Sequence, residues 1–471
     1  MKRLARIKLA WGDKAREEES AASPLRRFLA KAVSGTFGFK IVNVGLMYAN
    51  SLLMVRLAGA SGYGEYAYII AWAQILLIPA AMGFEGLLSR ELAVCQAQHR
   101  WSEASGLLGF SNALVLFVSL LLSAIAIAGF WLLGLADNAQ SLWAFAIGLA
   151  SLPFLALSRL RTASLQAIKS IIASQLPEAI VRPGILFVCL GGLFALQSWG
   201  RLDLFQLPLL GAPGSGVSGA PLLSAPAVMT VNWIATAIAF LVGSGLLKRS
   251  LSPQLRSAVP QHSRKIWIKA AMPMLLIGSM YVINGQTDAI MLGSFRDSTT
   301  VGIYTVANRG AGLISFVQIA FATSLAPIFA TLYAEGNLDE LRRTIKRSCQ
   351  ATFFLSVAVA VVLVLFSHWF LLLFGPEFLA GRIALFVLMG GQLVNAFTGA
   401  TAQLLIMTGY DRDTAMGVSI SAVANIVLNA ALIPLYGLNG AAIATALSTV
   451  LWNVILVGFT YKRFNVLSTA L

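Results

Sequence analysis

Twelve apolar runs, each long enough to cross a bilayer, constrain this chain more than any other feature. They lie at about 32–57, 64–84, 106–134, 142–167, 177–198, 223–247, 267–293, 301–332, 350–374, 383–408, 414–434 and 438–460. A hydrocarbon core about 30 Å thick takes roughly 20 helical residues. Only helices and closed barrels satisfy the backbone there. Barrel strands would be about ten residues long and alternate in polarity; these runs do neither. Charged residues make up 11% of the chain, against about 25% in soluble domains. The spans use up most of the 471 residues and leave no room for a large soluble domain. The expected fold class is therefore an all-α integral membrane protein with twelve transmembrane helices.

The basic residues orient it. With the amino terminus inside, the 34 Lys and Arg fall on the cytoplasmic side with few exceptions: Arg56, Arg201, Arg296 and Arg382 lie in outer loops, and Lys40, Arg182 and Arg309 lie within spans. Cytoplasmic enrichment of Lys and Arg is the usual bias of membrane proteins. It accounts for the net charge of +15 without nucleic acid as a partner. Residues 1–31, polar and of mixed charge, read as a cytosolic tail rather than a cleavable signal. Its start, "MKRLARIKLAW", suits either a short amphipathic helix on anionic lipid or an unstructured leader.

The widest basic loop follows the sixth span and divides the chain into a bundle at 32–247, a cytosolic linker at 248–268 and a second bundle at 269–471. A repeat supports the division. At an offset of 238, Lys31 aligns with Lys269, Asn50 with Asp288, Gly64 with Gly302 and Tyr66 with Tyr304. Later in the halves, "LSAPAVMT" (Leu223–Thr230) resembles "LNGAAIAT" (Leu438–Thr445). An even number of spans per half makes this a parallel repeat, with its axis along the membrane normal and a site expected between the halves.

Three stretches carry a family resemblance: "PMLLIGSMYVINGQTDAIMLGSFRDSTTVGIYTVANR", "LAPIFATLYAEGNLDELRRTIKRS" and "NIVLNAALIPLYGLNGAAIATALS". They look like the bacterial polysaccharide-repeat flippases of the multidrug/oligosaccharidyl-lipid/polysaccharide exporter superfamily. The first half agrees more loosely, through "VRLAGASGYGEYAYIIAWAQILL" and "GFEGLLSREL", and the resemblance extends from about Lys31 to Phe464. It implies two parallel-repeat six-helix bundles around a central cavity. It also implies a polyprenyl-pyrophosphate-linked glycan as substrate, membrane lipid as surroundings and other polysaccharide assembly proteins as candidate partners. The Gly- and Pro-rich outer loop Arg201–Pro221 departs from the repeat, since the tight "LYGLNG" turn follows the eleventh span.

Charges inside spans usually face a cavity or a partner. Asp288 and Arg309 sit in the two arms of one hairpin, both roughly 10–12 Å below its outer turn at 1.5 Å per residue. They are expected either to pair as a staple or to work together, with Arg309 meeting an anionic substrate and Asp288 tuning it. Lys40 has no acidic neighbour in sequence and suits a point charge for pyrophosphate. Asn43 and Asn50 share its span at heptad spacing. With Gln286 they complete the candidate substrate-binding set: Lys40, Arg309, Asp288, Asn43, Asn50 and Gln286. Spans one, two, seven and eight are expected to line the cavity. Glu178 and Arg182, four apart, read as an ordinary ion pair along one helix.

Enzyme signatures are poor. "DRD" at Asp411–Asp413 matches a glycosyltransferase motif in letters only, and no phosphate-binding Gly-rich loop with Lys is present. His99, His262 and His368 are far apart, and Cys95, Cys189 and Cys349 lack metal spacing, so no cofactor is called for. The expected function is export of lipid-linked oligosaccharide across a bacterial cytoplasmic membrane by alternating access, with both termini cytosolic. Two rivals stay open. One is a cation-coupled drug antiporter of the same superfamily, with Asp288 as its coupling acid; the other is a polytopic polysaccharide polymerase.

Overall fold

The computed structural model describes residues 2–134, 138–198, 223–261 and 263–470, with side chains omitted for 2–37, 197, 198, 273, 276 and 277. The side chains of the expected tail (1–31) and the whole outer loop 201–221 fall outside that description. Ten helices among the described residues are long and apolar enough to cross a membrane. The first, Gly38–Ala81, is really two spans. Gly59 adopts φ 71°, ψ 179° within it, a conformation that suits only glycine, and the chain reverses there. Lys40 and Leu77 accordingly line the same cavity, whereas an unbroken helix would hold them about 55 Å apart. The 32-residue helix Arg264–Phe295 completes the twelve.

The spans are thus 38–58, 60–81, Trp101–Leu132, Ala139–Ala167, Ile171–Leu196, Ala225–Ser250, Arg264–Phe295, Ser298–Ala334, Leu338–Phe374, Pro376–Thr398, Asp411–Tyr436 and Leu438–Phe464. Three differ from the sequence reading for visible reasons. The tenth stops at Thr398 because Gly399 takes φ 66°; a separate helix, Thr401–Met407, follows. The ninth begins at Leu338, with a charged extension at its start that hid its helical phase. The fifth begins at Ile171 and loosens into a π turn at Pro177–Val181.

The halves meet with two-fold pseudosymmetry. A Cβ on Gly64 would lie 1.7 Å from the Ser298 carbonyl oxygen, and one on Gly302 would lie 2.4 Å from that of Ala60. Ala60 and Ser298 are themselves 238 positions apart, so the aligned glycines make reciprocal contacts. Small residues allow two backbones this approach in a membrane. Arg56 Nη2 adds a 2.8 Å bond to the Leu373 carbonyl near the end of span one. Span two also lies along span seven, where a Cβ on Gly83 would stand 2.3 Å from the Ala271 carbonyl. In the turn between spans seven and eight, Thr300 donates to Asp297 at 2.5 Å, which holds that carboxyl below its ordinary range.

Reporter fusions test the orientation. Fusions after Glu377 should report outside, and those after Arg256 and Arg347 inside. One reversed position would break the topology.

Candidate functional site

Span five supplies the local geometry. Pro183 has no N–H, so the Ala179 carbonyl loses its helical donor. Asn43 on span one replaces it, donating from Nδ2 at 3.0 Å. One heptad on, Asn50 Nδ2 donates to the Pro183 carbonyl at 2.9 Å. These two asparagines thus fasten span one to the loosened turn of span five; their spacing reflects that task. Asn50 Oδ1 remains buried without a partner.

Beside this seam lie two adjoining cavities of about 160 and 300 Å³, which share Asn43, Glu178 and Arg182. The first also meets Asn50, Tyr66, Asn232 and Arg309; the second meets Lys40, Gln74 and Arg159. Arg182 reaches Glu178 at 3.5 Å and Asn232 Oδ1 at 3.2 Å. Arg309 Nη1 donates to the Met47 carbonyl at 3.2 Å, and its guanidinium stands 5.7 Å from the Tyr63 ring centre. Tyr48 donates its hydroxyl to the Arg309 carbonyl. Lys40 Nζ lies 3.5 Å from Thr323 Oγ1, across the boundary between the halves. Four cations and one carboxylate therefore line these two cavities, and Glu85 lies in a smaller cavity of about 60 Å³ that shares Arg159, Gln74 and Leu77. A cluster of like charges in a low-dielectric wall raises the local concentration of counter-ions. Glu178 Oε1 and Asn232 Nδ2 are also buried and unsatisfied here.

Asp288 has a different setting. It is 3% exposed. Its Oδ2 accepts from Tyr304 at 2.7 Å and Thr445 at 2.5 Å. Its Oδ1 accepts from Asn429 at 2.7 Å and Asn425 at 3.1 Å. The expected partnership with Arg309 is absent. Tyr304 and Arg309 are five residues apart on span eight, about 140° around the helix. With Tyr304 turned to Asp288, Arg309 is turned to span one. Equal depth was a sound inference, but helical phase separates the two charges.

Lys40, Asn43, Asn50 and Arg309 are thus brought together, whereas Asp288 and Gln286 are not among the residues lining this space. Of the expected wall, spans one and two line these two cavities, span eight contributes Arg309, and span seven enters through a small adjoining cavity that shares Gln74, Leu77 and Arg159; spans four, five and six line the space as well. Sequence reasoning missed Arg159, Arg182 and Asn232. Arg182 gave a signal, being an arginine inside a span next to a proline. Arg159 was hidden among cytoplasmic basic residues.

Comparison with known proteins finds a family likeness in the second half. Residues 273–431 match the MatE family model. The match runs from span seven into span eleven and takes in about a third of the chain. A probable low-salt glycan biosynthesis flippase, Agl15 of Haloferax volcanii, is 25% identical over 89% of this chain and 81% of its own. The probable flippase AglR of Haloferax volcanii is 34% identical, but that match spans only 36% of either chain. The chain shares its fold with an inward-facing multidrug resistance MATE transporter of the MOP superfamily. The TM-score is 0.70 at 15% identity, covering 90% of this chain and 94% of the other. The lipid II flippase MurJ, in an inward closed conformation, gives 0.66 at 14% identity, covering 92% and 87%. These likenesses carry the all-α, two-bundle membrane fold.

Proposed function

We propose that this protein flips polyprenyl-pyrophosphate-linked oligosaccharide across the cytoplasmic membrane by rocking its two halves. The observation that carries the reading is the cavity where Lys40, Arg159, Arg182 and Arg309 face Glu178. Pyrophosphate is a multiply charged anion of a size such a cluster can hold. Arg supplies a planar fork for phosphate oxygens, and Lys supplies a mobile point charge. The prenyl chain stays in lipid while the headgroup crosses. The names of Agl15 and AglR support a flippase, and a cationic cavity repels cationic drugs. Both termini lie on the cytosolic side in this reading.

Asp288 has a separate part. It is a sealed carboxylate with four neutral donors, and none of them balances its charge. A proton or monovalent cation bound there would change how spans seven, eight, eleven and twelve pack. That makes Asp288 the coupling group, while the cations of the first half hold the substrate.

Complementation tests the proposal. In a strain lacking the gene, the wild-type protein should restore surface glycan. The double variant Lys40→Ala, Arg309→Ala should fail to do so at equal membrane protein level. Full restoration by the double variant would refute the cationic site.

A further inference from the structure

The second half holds a cavity of its own. It has about 400 Å³, within the range of small-molecule sites, and lies between spans seven, eight, ten and twelve. Its chemistry is unlike that of the cationic space. Tyr281, Gln318, Asn395, Gln403, Trp452 and Asn453 supply its polar and aromatic groups, and no charged side chain is among its lining residues.

The amides are held in fixed directions. Gln318 Nε2 donates to the Gly399 carbonyl at 2.9 Å and to that of Asn395 at 3.2 Å. Asn395 Nδ2 returns a bond to Gln318 Oε1 at 2.5 Å. Asn453 Nδ2 donates to Asn395 Oδ1 at 3.1 Å, and Thr398 donates to Asn453 Oδ1 at 2.5 Å. The break at Gly399 exposes the carbonyl end of span ten to this network. The rings of Tyr281 and Trp452 stand edge to face, 5.6 Å between centres. Trp452 Nε1 is buried there without a hydrogen-bond partner. A buried indole N–H usually finds an acceptor, and leaving one unpaired costs about 1–3 kcal/mol.

Fixed amides, an aromatic pair and a waiting N–H suit a neutral ligand that both donates and accepts hydrogen bonds and has an apolar face. Sugar rings have these properties. Groups of the two cavities come within one helical turn of each other along span eight. Lys40 of the cationic space contacts Thr323, and Thr323 donates to the carbonyl of Ile319, which lines the second cavity. We infer that this second cavity receives the neutral sugars of the ligand whose pyrophosphate lies in the cationic space. The inference rests on the proposed pyrophosphate reading and adds a division of labour: charge in the first half, sugar in the second.

The test uses full-length protein in lipid nanodiscs and three probes. These are farnesyl pyrophosphate, the lipid-linked glycan extracted from the source organism, and that glycan released from its lipid by mild acid. Wild-type protein should bind the glycan lipid at least about tenfold more tightly than farnesyl pyrophosphate. Trp452→Phe keeps the ring stack but lacks the N–H. Gln403→Leu, on the separate helix Thr401–Met407, changes the opposite wall. Each should lose that preference yet bind farnesyl pyrophosphate as wild type does. Released glycan should alter tryptophan fluorescence in the wild type and not in Trp452→Phe. If both variants keep the wild-type preference, or the wild type has none, the cavity holds only water and the inference falls. If released glycan binds through Trp452 while farnesyl pyrophosphate does not bind at all, the cationic reading fails and the sugar site stands.

Discussion

Arg309→Ala should abolish glycan export while the protein still accumulates in the membrane. Arg309 is the one cation that the second half contributes to the cationic space. In the proposed rocking motion it therefore moves relative to the other three cations. A hydrogen bond to a charged group is worth about 1.5–3 kcal/mol, so losing it should weaken pyrophosphate binding by tens- to hundredfold. The same side chain also tethers spans eight and one through the Met47 carbonyl. Arg309→Gln separates the two roles, since its amide can still donate to that carbonyl but carries no charge. It should export as poorly as Arg309→Ala. Arg309→Lys should remain impaired for want of the planar fork. Surface glycan measured beside membrane protein level checks the series. Normal export by Arg309→Gln would make the residue a tether.

Asp288→Asn should fold normally and still fail to export. The four groups around the carboxylate can accommodate an amide. Asn425 and Asn429 keep donating to its oxygen. Tyr304 and Thr445 have hydroxyls that can turn from donors into acceptors for its NH₂. The substitution therefore removes charge and little else. Asp288→Ala, by contrast, strands the donors at about 1–3 kcal/mol each and should lower thermal stability. Farnesyl pyrophosphate affinity should be unchanged in Asp288→Asn, while acceleration of flipping by an imposed ion gradient should disappear. Wild-type export by Asp288→Asn would reduce the carboxylate to a structural clamp.

These expectations separate two residues that the sequence had joined. Span number and the repeat were legible because both are patterns along the chain that need no knowledge of packing. Hydropathy marks spans, and Gly64 and Gly302 mark the crossing. Asp288, Lys40 and Arg309 stood out because charge is costly inside a bilayer. Their partners did not, because these come from distant segments. Asn425, Asn429 and Thr445 lie 137 to 157 residues from Asp288. Asn43 and Asn50 looked like ligands for substrate, yet their amides serve the backbone of span five. That role was written in Pro183, whose missing N–H orphans the Ala179 carbonyl. The neutral cavity was invisible for the same reason as the Asp288 cluster. Gln318, Asn395 and Asn453 lie on three separate spans, and only packing brings their amides into one network.

The most direct measurement is translocation by purified protein in liposomes. Two substrates are compared, a fluorescent polyprenyl-pyrophosphate glycan and a lipophilic drug cation. Flipping of the pyrophosphate lipid should be fast with the wild type and slow with Lys40→Ala, Arg309→Ala. It should weaken as salt rises, because ions screen partly exposed charges within about 10 Å at 0.1 M. The drug cation should not be moved. Transport of the cation without the pyrophosphate lipid would contradict the account.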